Sequence, residues 1–413
     1  MPKQIRDLSI SDASVMLEVS IDTIRRWEKK GLIKISRSSL GHRVFSEQDI
    51  QLLKEKISGK SSFNYKVLKS EEKSKYNVLE LFAGAGGLAL GLENAGLGCI
   101  KLIELDKIAC QTLKVNRPHW NVQCEDVGKV DFRSIKADIV AGGFPCQAFS
   151  YAGKKLGFED VRGTLFYEYA RAIKEIKPKM ILGENVRGLE KHDQGRTLQT
   201  MLKVLDELGY HVSYKILRAQ YFDVAQKRER LVMIGIRKDL HGKVAFPNEK
   251  NYTVSVREAL KDVPKSEGQK YTPIKYDIME LVPEGGYWRS LPLDIQKKYM
   301  GASFYLGGGK TGMARRLSWD EPSLTLTCNP AQKQTERCHP SDTRPLTVRE
   351  YARIQSFPDD WLFSGSVAAQ YKQIGNAVPV NLAYHIGKAL IATLQNKLSN
   401  QDFTIVDFNH KHE

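Results

Sequence analysis

Four side chains in this sequence of 413 residues have types and surroundings that could do chemistry: Cys146, Glu184, Arg228 and Arg230. Cys146 sits in Gly142-Gly143-Phe144-Pro145-Cys146-Gln147, just after a buried-strand pattern around Ile139-Val140. The flanking Gly and Pro residues suit a shaped loop beyond a strand end better than they suit a structural thiol in a core. Glu184 closes the apolar run Met180 to Gly183. Arg228 and Arg230 belong to Gln226-Lys227-Arg228-Glu229-Arg230, ahead of the apolar run Leu231 to Ile236. A thiolate is a soft nucleophile, a carboxyl can donate or accept a proton, and guanidiniums grip oxygens. A thiol, a carboxyl and two guanidiniums at strand ends describe a polar pocket.

The elements that must position them read as alternating strands and helices. Val78 to Phe82 is a short apolar strand that runs into Ala83-Gly84-Ala85-Gly86-Gly87, and a helix pattern follows from Leu88 to Ala95. A strand turning on glycines into a helix start lets backbone N–H groups approach a ligand closely, which points to a nucleotide-type cofactor. Glu104 ends the next strand about 20 residues on, where a carboxylate can take a ribose hydroxyl. Asp126 ends a further short segment. The alternation predicts an α/β fold with a parallel, doubly wound sheet.

These motifs resemble, in the family's own order, the DNA (cytosine-5) methyltransferases. The residues concerned are Phe82-Ala83-Gly84-Ala85-Gly86-Gly87, Gly143-Phe144-Pro145-Cys146-Gln147, Glu184-Asn185-Val186 and Gln226 to Arg230. Arg344-Pro345-Leu346-Thr347 and Gln373-Ile374-Gly375-Asn376-Ala377-Val378-Pro379 complete the series, which spans about 76 to 395. The resemblance implies a Rossmann-like domain that uses S-adenosylmethionine to methylate C5 of a cytosine in a specific double-stranded DNA sequence. Cys146 would add to C6, Glu184 would supply a proton at N3, Arg230 would grip O2, and Arg228 would help hold phosphate or thiolate. It assigns Phe82, Ala83, Gly84, Ala85, Gly86 and Gly87 to the methionine and ribose side of the cofactor. Glu104 is implied at the ribose, Asp126 at the adenine amine, Leu165 against the adenine, and Asn376 as the closing side. Leu105 departs from the pattern, since some relatives carry an aromatic there, and apolar contact is expected instead. The target base must be flipped out of the duplex, and the loop from Ser150 to Gly163, with Lys154 and Lys155, suits a clamp on DNA. No metal is implied.

The N-terminal residues 1–57 have another texture. A short helix over Ser11 to Leu17, a turn, and a helix from Ile21 to Lys30 ended by Gly31 give helix-turn-helix spacing, with a hairpin over Leu32 to Phe45 and a third helix from about Ser46 to Ile57. Thr23 to Glu28, Gly31-Leu32-Ile33, His42 to Ser46 and Asp49-Ile50 resemble the winged helix-turn-helix of MerR-type regulators. That likeness implies DNA contacts from Arg25, Arg26, Lys29 and Lys30, with Arg43 in the wing, and a dimer on operator DNA. Residues 58–75 are polar and aperiodic and read as a linker that lets the module move independently.

The catalytic domain is expected over 76–240 and again over 343–395, interrupted at 241–342 by a small target-recognition domain and followed by a tail at 396–413. Within the inserted stretch, Gly285 to Arg316 concentrates Arg289, Lys297, Lys298, Lys310, Arg315 and Arg316 against a single Asp294. Glycines beside Tyr287 and Trp288 there suit loops placed in a groove, with Arg289, Arg315 and Arg316 as expected DNA contacts.

Composition fits this reading. The formal charge of +15 asks for a polyanionic partner. No run reaches the ~18 apolar residues of a membrane helix. Six scattered cysteines, without a Cys-x-x-Cys pair or a signal-peptide core at the start, fit a reducing cytosol. A restriction-modification setting follows from the resemblance, with a solitary methylase as its variant and a monomer expected on target DNA. Transfer-RNA methylation is the rival within the family, but that branch carries a Cys-Phe-Thr tripeptide absent here. A regulator with a degenerate methylase half would not keep Cys146, Glu184, Arg228 and Arg230. A nicotinamide oxidoreductase would explain the glycine loop but not Pro145-Cys146-Gln147.

Overall fold

The computed structural model describes residues 8–29, 33, 35–38, 41–46, 50, 53, 66–145, 164–307 and 309–409. Cys146, Lys30, Gly31, Lys154 and Lys155, with the loop expected over Ser150 to Gly163, lie outside the described residues.

The N-terminal module holds β1 (Leu8–Ser9), α1 (Ile10–Leu17), α2 (Ile21–Lys29), β2 (Ser36–Arg37) and β3 (Arg43–Phe45). Ser9 caps α1 in a capping box with Asp12, and Ser20 Oγ accepts from Thr23 N at the start of α2. Ala13, Leu17, Ile24, Ile33, Ile35, Phe45, Ile50 and Leu53 form a small separate core. The strands pair in the order β1-β3-β2, which is the expected wing with one added strand.

The catalytic body follows with β4 (Asn77–Leu81), α3 (Gly87–Ala95), β5 (Gly98–Glu104), α4 (Lys107–Asn116), β6 (Val122–Cys124) and β7 (Ile139–Gly142). Next come α5 (Leu165–Ile176), β8 (Met180–Val186), α6 (Arg196–Glu207), β9 (Tyr210–Arg218), β10 (Gln226–Lys227) and β11 (Glu229–Arg237). Seven strands form one sheet in the order β6-β5-β4-β7-β8-β11-β9. Neighbours from β6 to β8 are parallel, as expected, but β11 is antiparallel to both β8 and β9. The sheet is therefore mixed. The segment between β9 and β11 is too short for a helical crossover, so the chain doubles back. The order reverses beside β4, and a ligand crevice belongs at the carboxyl ends of the strands there.

After β12 (Lys243–Pro247) the chain enters the inserted region with α7 (Val256–Leu260), α8 (Pro273–Glu280), α9 (Leu293–Met300) and β13 (Ser323–Leu324), the last parallel to β10. Met279, Val282, Trp288, Leu291, Met300, Met313, Ala314 and Cys338 form that region's own core. The chain returns through α10 (Val348–Ile354), α11 (Val367–Asn376) and α12 (Val380–Leu394), and ends on β14 (Phe403–Asp407). Helix α12 packs against α3 so closely that a Cβ on Gly91 would lie 2.3 Å from Ala383 Cβ.

Two boundaries differ from expectation. The stretch expected as a tail contains β14, which pairs antiparallel with β12. Val244 and Phe246 of β12 are buried with Val78, Leu88 and Leu382, so this strand belongs to the catalytic body. The second half of the expected linker is also docked. Leu68 N donates to Asn381 Oδ1 (2.8 Å), Asn381 Nδ2 donates to Lys66 O (3.0 Å), and Ser70 N and Ser74 N donate to Asn94 O and Gly96 O. Polar residues make a poor helix or core, but their backbone groups satisfy orphaned groups at a helix end. The module itself touches the body through a β-bridge between Ile33 and Tyr252.

Candidate active site

Strand β4 ends at Leu81, and the next residue, Phe82, has a φ of +59° that is uncommon for a bulky residue and turns the chain into the glycine loop. Gly84, at φ +54°, then donates its N–H to Glu104 Oε2 at 2.7 Å. Glu104 Oε1 accepts from Asp106 N at 2.8 Å. The carboxylate at the end of β5 thus holds the loop of β4 in shape. Gly87 is required by close approach, since a Cβ there would lie 2.2 Å from Val378 O.

On the other side, β8 and β11 bring the polar pair together. Val232 faces Glu184 and Arg230 faces Val186 in the antiparallel register, so Glu184 and Arg230 are diagonal neighbours on one face. Their side chains meet with Arg230 Nε 2.7 Å from Glu184 Oε1. Glu184 Oε2 lies over Gly143, where a Cβ would come within 3.0 Å of it. A side chain at Gly143 would press on that oxygen, and Glu184 would have to shift by a few tenths of an ångström.

Arg228 is a different kind of residue from Arg230. It is 1% exposed, and its guanidinium donates to Leu326 O (3.1 Å) and Gly375 O (3.0 Å). Burial first, and then neighbouring Arg230, pull its pKa down to about 9, which still leaves it charged at neutral pH. It ties the returning segments to the sheet and presents its Nε, which has no partner among the described residues, beside the pocket. Gln226 assists, donating to Gln355 Oε1 and accepting from Leu326 N.

These groups line one cavity of about 430 Å³. Its wall includes Phe82, Ala83, Gly84, Ala85 and Gly87 from the loop, Glu104, Phe144 and Pro145 ahead of Cys146, Glu184, Arg228, Arg230 and Asn376. The volume lies in the range of small-ligand sites. Gly86 stands behind this wall, where a Cβ would strike Leu113. Leu105 is 68% exposed and Leu165 starts α5 against the core. Asp126 caps the turn after β6 by accepting from Gly128 N. These last three are not in the cavity wall.

Sequence reasoning passed over several residues. Asn185 Nδ2 donates to Phe144 O at 2.8 Å and so anchors the root of the cysteine loop. Its place beside Glu184 was the available signal. Lys372 reaches Asp106 at 3.5 Å across the cavity mouth, and Cys328 Sγ donates to Asn376 Oδ1 at 3.1 Å. Both contacts join segments more than 40 residues apart, which no local pattern encodes.

The expected DNA contacts fare unevenly. Arg289 is exposed beside Trp288, and Arg315 lies over the Tyr287 ring. Arg316 differs from its expected role. It is 4% exposed and donates to Val282 O, Met279 O, His339 O and Thr343 Oγ1, so it braces the inserted domain from inside. Trp288, expected in a groove loop, is likewise buried in that domain's core. In the module, Arg25 pairs with Asp22, and Arg43 is drawn onto Glu28 together with Arg37.

The sheet order and the glycine loop define an α/β domain of the methyltransferase type, with the Glu184–Arg230 pair in the wall of its cavity. Residues 76–392 match the model of the C-5 cytosine-specific DNA methylases, and residues 8–56 match that of the MerR HTH family regulatory proteins. The chain belongs to the C-5 cytosine-specific DNA methylase family and is a DNA (cytosine-5) methyltransferase.

It is 54% identical over 405 residues to the Type II methyltransferase M.Eco47II of Escherichia coli, covering 94% of this chain and 96% of that one. It is 50% identical over 403 residues to M.Sau96I of Staphylococcus aureus, covering 93% and 92%. Among solved structures, a DNA modification methyltransferase encoded within an E. coli prophage superposes with a TM-score of 0.57 at 23% identity, covering 78% of this chain and all of that one. A Spodoptera frugiperda DNMT2 variant superposes with a TM-score of 0.53 at 17% identity, covering 76% and 99%. At such identities the likeness is one of fold. Among the described residues, no helix is long and apolar enough to cross a membrane.

Proposed function

We propose that the protein methylates C5 of a cytosine within a short double-stranded DNA sequence, using S-adenosylmethionine, and protects DNA from a cognate restriction enzyme. The observation that carries this reading is the single cavity shared by the glycine loop and the Glu184–Arg230 pair. The residues present fit the cofactor: a glycine cradle, the Glu104 carboxylate at its edge, and a volume suited to a small ligand. Phe82, Ala83, Gly84, Ala85, Gly86, Gly87, Glu104 and Asn376 would hold it, with Leu105, Asp126 and Leu165 at the adenine end. When bound, it supplies an electrophilic methyl group.

The chain's own residues do the rest. C5 of cytosine is a poor nucleophile, and addition of the Cys146 thiolate to C6 pushes electron density onto it. That addition leaves negative charge on the ring unless N3 receives a proton. Glu184, whose Oε2 lies over Gly143, is the group placed to hold that proton. Arg230 steadies Oε1 and turns toward the base oxygen, while Arg228 keeps the returning segments in place. Asn185 fixes the backbone at Phe144, so the thiol enters from a defined direction. Loss of the C5 proton to a base, such as water, expels Cys146. The base must leave the stack, at a few kcal/mol, and lysines of the loop after Cys146 offset that cost on phosphate.

Relatives named Type II methyltransferases support the restriction-modification setting, and the protein then works in the cytoplasm as a monomer on its target. The module binds operator DNA, as a dimer, and limits expression of its own gene. Bisulfite sequencing of DNA from cells expressing the chain tests the activity directly. Duplex DNA carrying 5-fluorocytosine at the target should trap the protein covalently, and Cys146→Ala should abolish both transfer and trapping while cofactor binding survives. A Cys146→Ala protein that still methylates at the normal rate overturns the mechanism.

A further inference from the structure

Glu80 is the one residue of β4 whose type contradicts its position. Its strand neighbours are Leu102 on β5 and Ala141 on β7, and its own flanks are Leu79 and Leu81. It is 2% exposed, and its Oε2 has no hydrogen-bond partner among the described residues. An ion pair or a ring of N–H donors would ordinarily accompany a buried carboxylate. Among the described residues neither accompanies Oε2. The side chain instead forms part of the cavity wall, between the glycine loop and Glu184.

The groups around it have mostly the wrong sign to help. Glu104 stands on β5 and Glu184 on β8, both carboxylates, and the Cys99 thiol lies within its field on β5. Arg230 is committed to Glu184, Arg228 to two carbonyls, and Lys372 to Asp106 at the mouth. Burial, then Glu104 and Glu184, push the Glu80 carboxyl well above the usual carboxylate range. The cavity therefore carries in its wall a carboxyl whose surroundings favour its uncharged form. Such a group becomes worth its cost when a cation arrives to replace the solvent it lost.

We propose that Glu80 is a cofactor-recognition residue whose buried carboxyl receives the positive charge of the sulfonium methyl donor and releases its proton to solvent as that charge enters. The inference rests on the reading above that the cavity takes S-adenosylmethionine. The methyl donor carries one positive charge more than the demethylated thioether product. Glu80 therefore favours the donor over the product, and an acid that regains its proton helps the product leave.

The test measures binding, not turnover, with the full chain. Calorimetric titration of S-adenosylmethionine and of S-adenosylhomocysteine, repeated in buffers of different ionisation enthalpy, counts protons released. The wild type should release close to one proton more with the donor than with the product at neutral pH. Glu80→Gln keeps the shape of the protonated acid. It should remove that difference and weaken the donor by about tenfold at neutral pH, while leaving the product within about twofold.

Equal proton release with both ligands in the wild type overturns the inference, and it does so without any variant. So does a folded Glu80→Gln protein with unchanged preference for the donor. If the wild type binds neither ligand, the cofactor reading itself fails, which is a separate and recognisable outcome.

Discussion

Arg230 Nε lies 2.7 Å from Glu184 Oε1, a diagonal contact between antiparallel neighbours β8 and β11. The pair depends on the reversal of β11. A parallel strand arriving by a helical crossover would present its residues in another order, and the two motifs that supply these side chains would not share an edge. The local antiparallel hairpin is thus part of the active site.

The pair makes a specific prediction for Glu184→Gln. The amide can still accept from Arg230 but has no carboxyl proton to give to a ring nitrogen. Single-turnover methyl transfer should fall about 10²–10⁴-fold, the usual range for loss of a general acid. Cofactor affinity, read by calorimetry, should hold within about twofold because Glu184 is not among the groups assigned to the cofactor. A variant that loses cofactor affinity and rate together would place Glu184 elsewhere.

Target choice should lie between residues 241 and 342, and the structure refines which side chains can read DNA. Replacing Arg289, which is exposed, should relax preference at one base pair by about 1–3 kcal/mol if it reads a base. A phosphate-contacting residue such as Lys297 or Lys298 should instead weaken all sequences and flatten the salt dependence. Arg316→Ala should behave differently from both. It strips donors from three buried carbonyls and one hydroxyl, so it should cost about 2–4 kcal/mol of stability and lower the melting temperature of the inserted domain. A stable Arg316→Ala protein with altered sequence preference would restore it as a DNA contact. Grafting the segment into a related enzyme should carry the target with it.

Asp223 gives a pH prediction. It accepts from His385 Nε2 (2.8 Å), lies 3.0 Å from Lys250 Nζ and takes the Tyr252 hydroxyl. Burial opposes its charge, but His385, Lys250 and Tyr252 outweigh that and hold the carboxyl far below the usual range. A depressed folded pKa contributes stability above the unfolded value of about 3.9 and loses it as pH falls through the folded one. Asp223→Asn should therefore destabilise by about 2–4 kcal/mol at pH 7, and the gap to wild type should close in acid below about pH 4. A gap that stays constant from pH 7 to pH 3 would mean that packing, not charge, sets the cost.

Much of this was legible before any coordinates. Motifs at strand ends place the glycine loop, Glu104 and Glu184 on one edge because parallel strands align their carboxyl ends, while Arg228 and Arg230 reach it from the amino end of antiparallel β11. Position along a strand does not tell a free guanidinium from a strut, so Arg228 and Arg230 looked alike, and so did Arg315 and Arg316. Whether a guanidinium is spent on carbonyls depends on segments that come back from far along the chain. The antiparallel turn at β11, the strand at Phe403–Asp407 and the bound strap at 66–75 escaped for the same reason. Each is settled by a distant partner: β8, β12 and Asn381. Glu80 was read only as part of an apolar strand, and the lack of a counter-charge around it has no signature in one dimension.

That strap shapes the last prediction, which concerns the N-terminal module. The catalytic motifs are complete without residues 1 to 75, yet the protein does not leave those residues untethered. Lys66 and Leu68 occupy the amide of Asn381, which also donates to Asp223 O (2.8 Å), and Ile33 bridges to Tyr252, whose hydroxyl meets Asp223. Two truncations separate the roles. Removing residues 1–60 takes the module and spares the strap. Methylation in vitro should stay within about twofold and a gel shift on DNA upstream of the gene should be lost, because specific operator contacts come from the module alone. Removing residues 1–70 also takes Lys66 and Leu68 away from the buried Asn381 amide, leaving it Asp223 O alone among these partners. That should cost about 1–3 kcal/mol and lower the melting temperature by roughly 2–6 °C relative to the shorter truncation. If the 1–60 truncation lowers methylation tenfold and the intact protein shifts no upstream fragment, the module serves the enzyme's grip on its methylation target, and the regulatory reading is wrong.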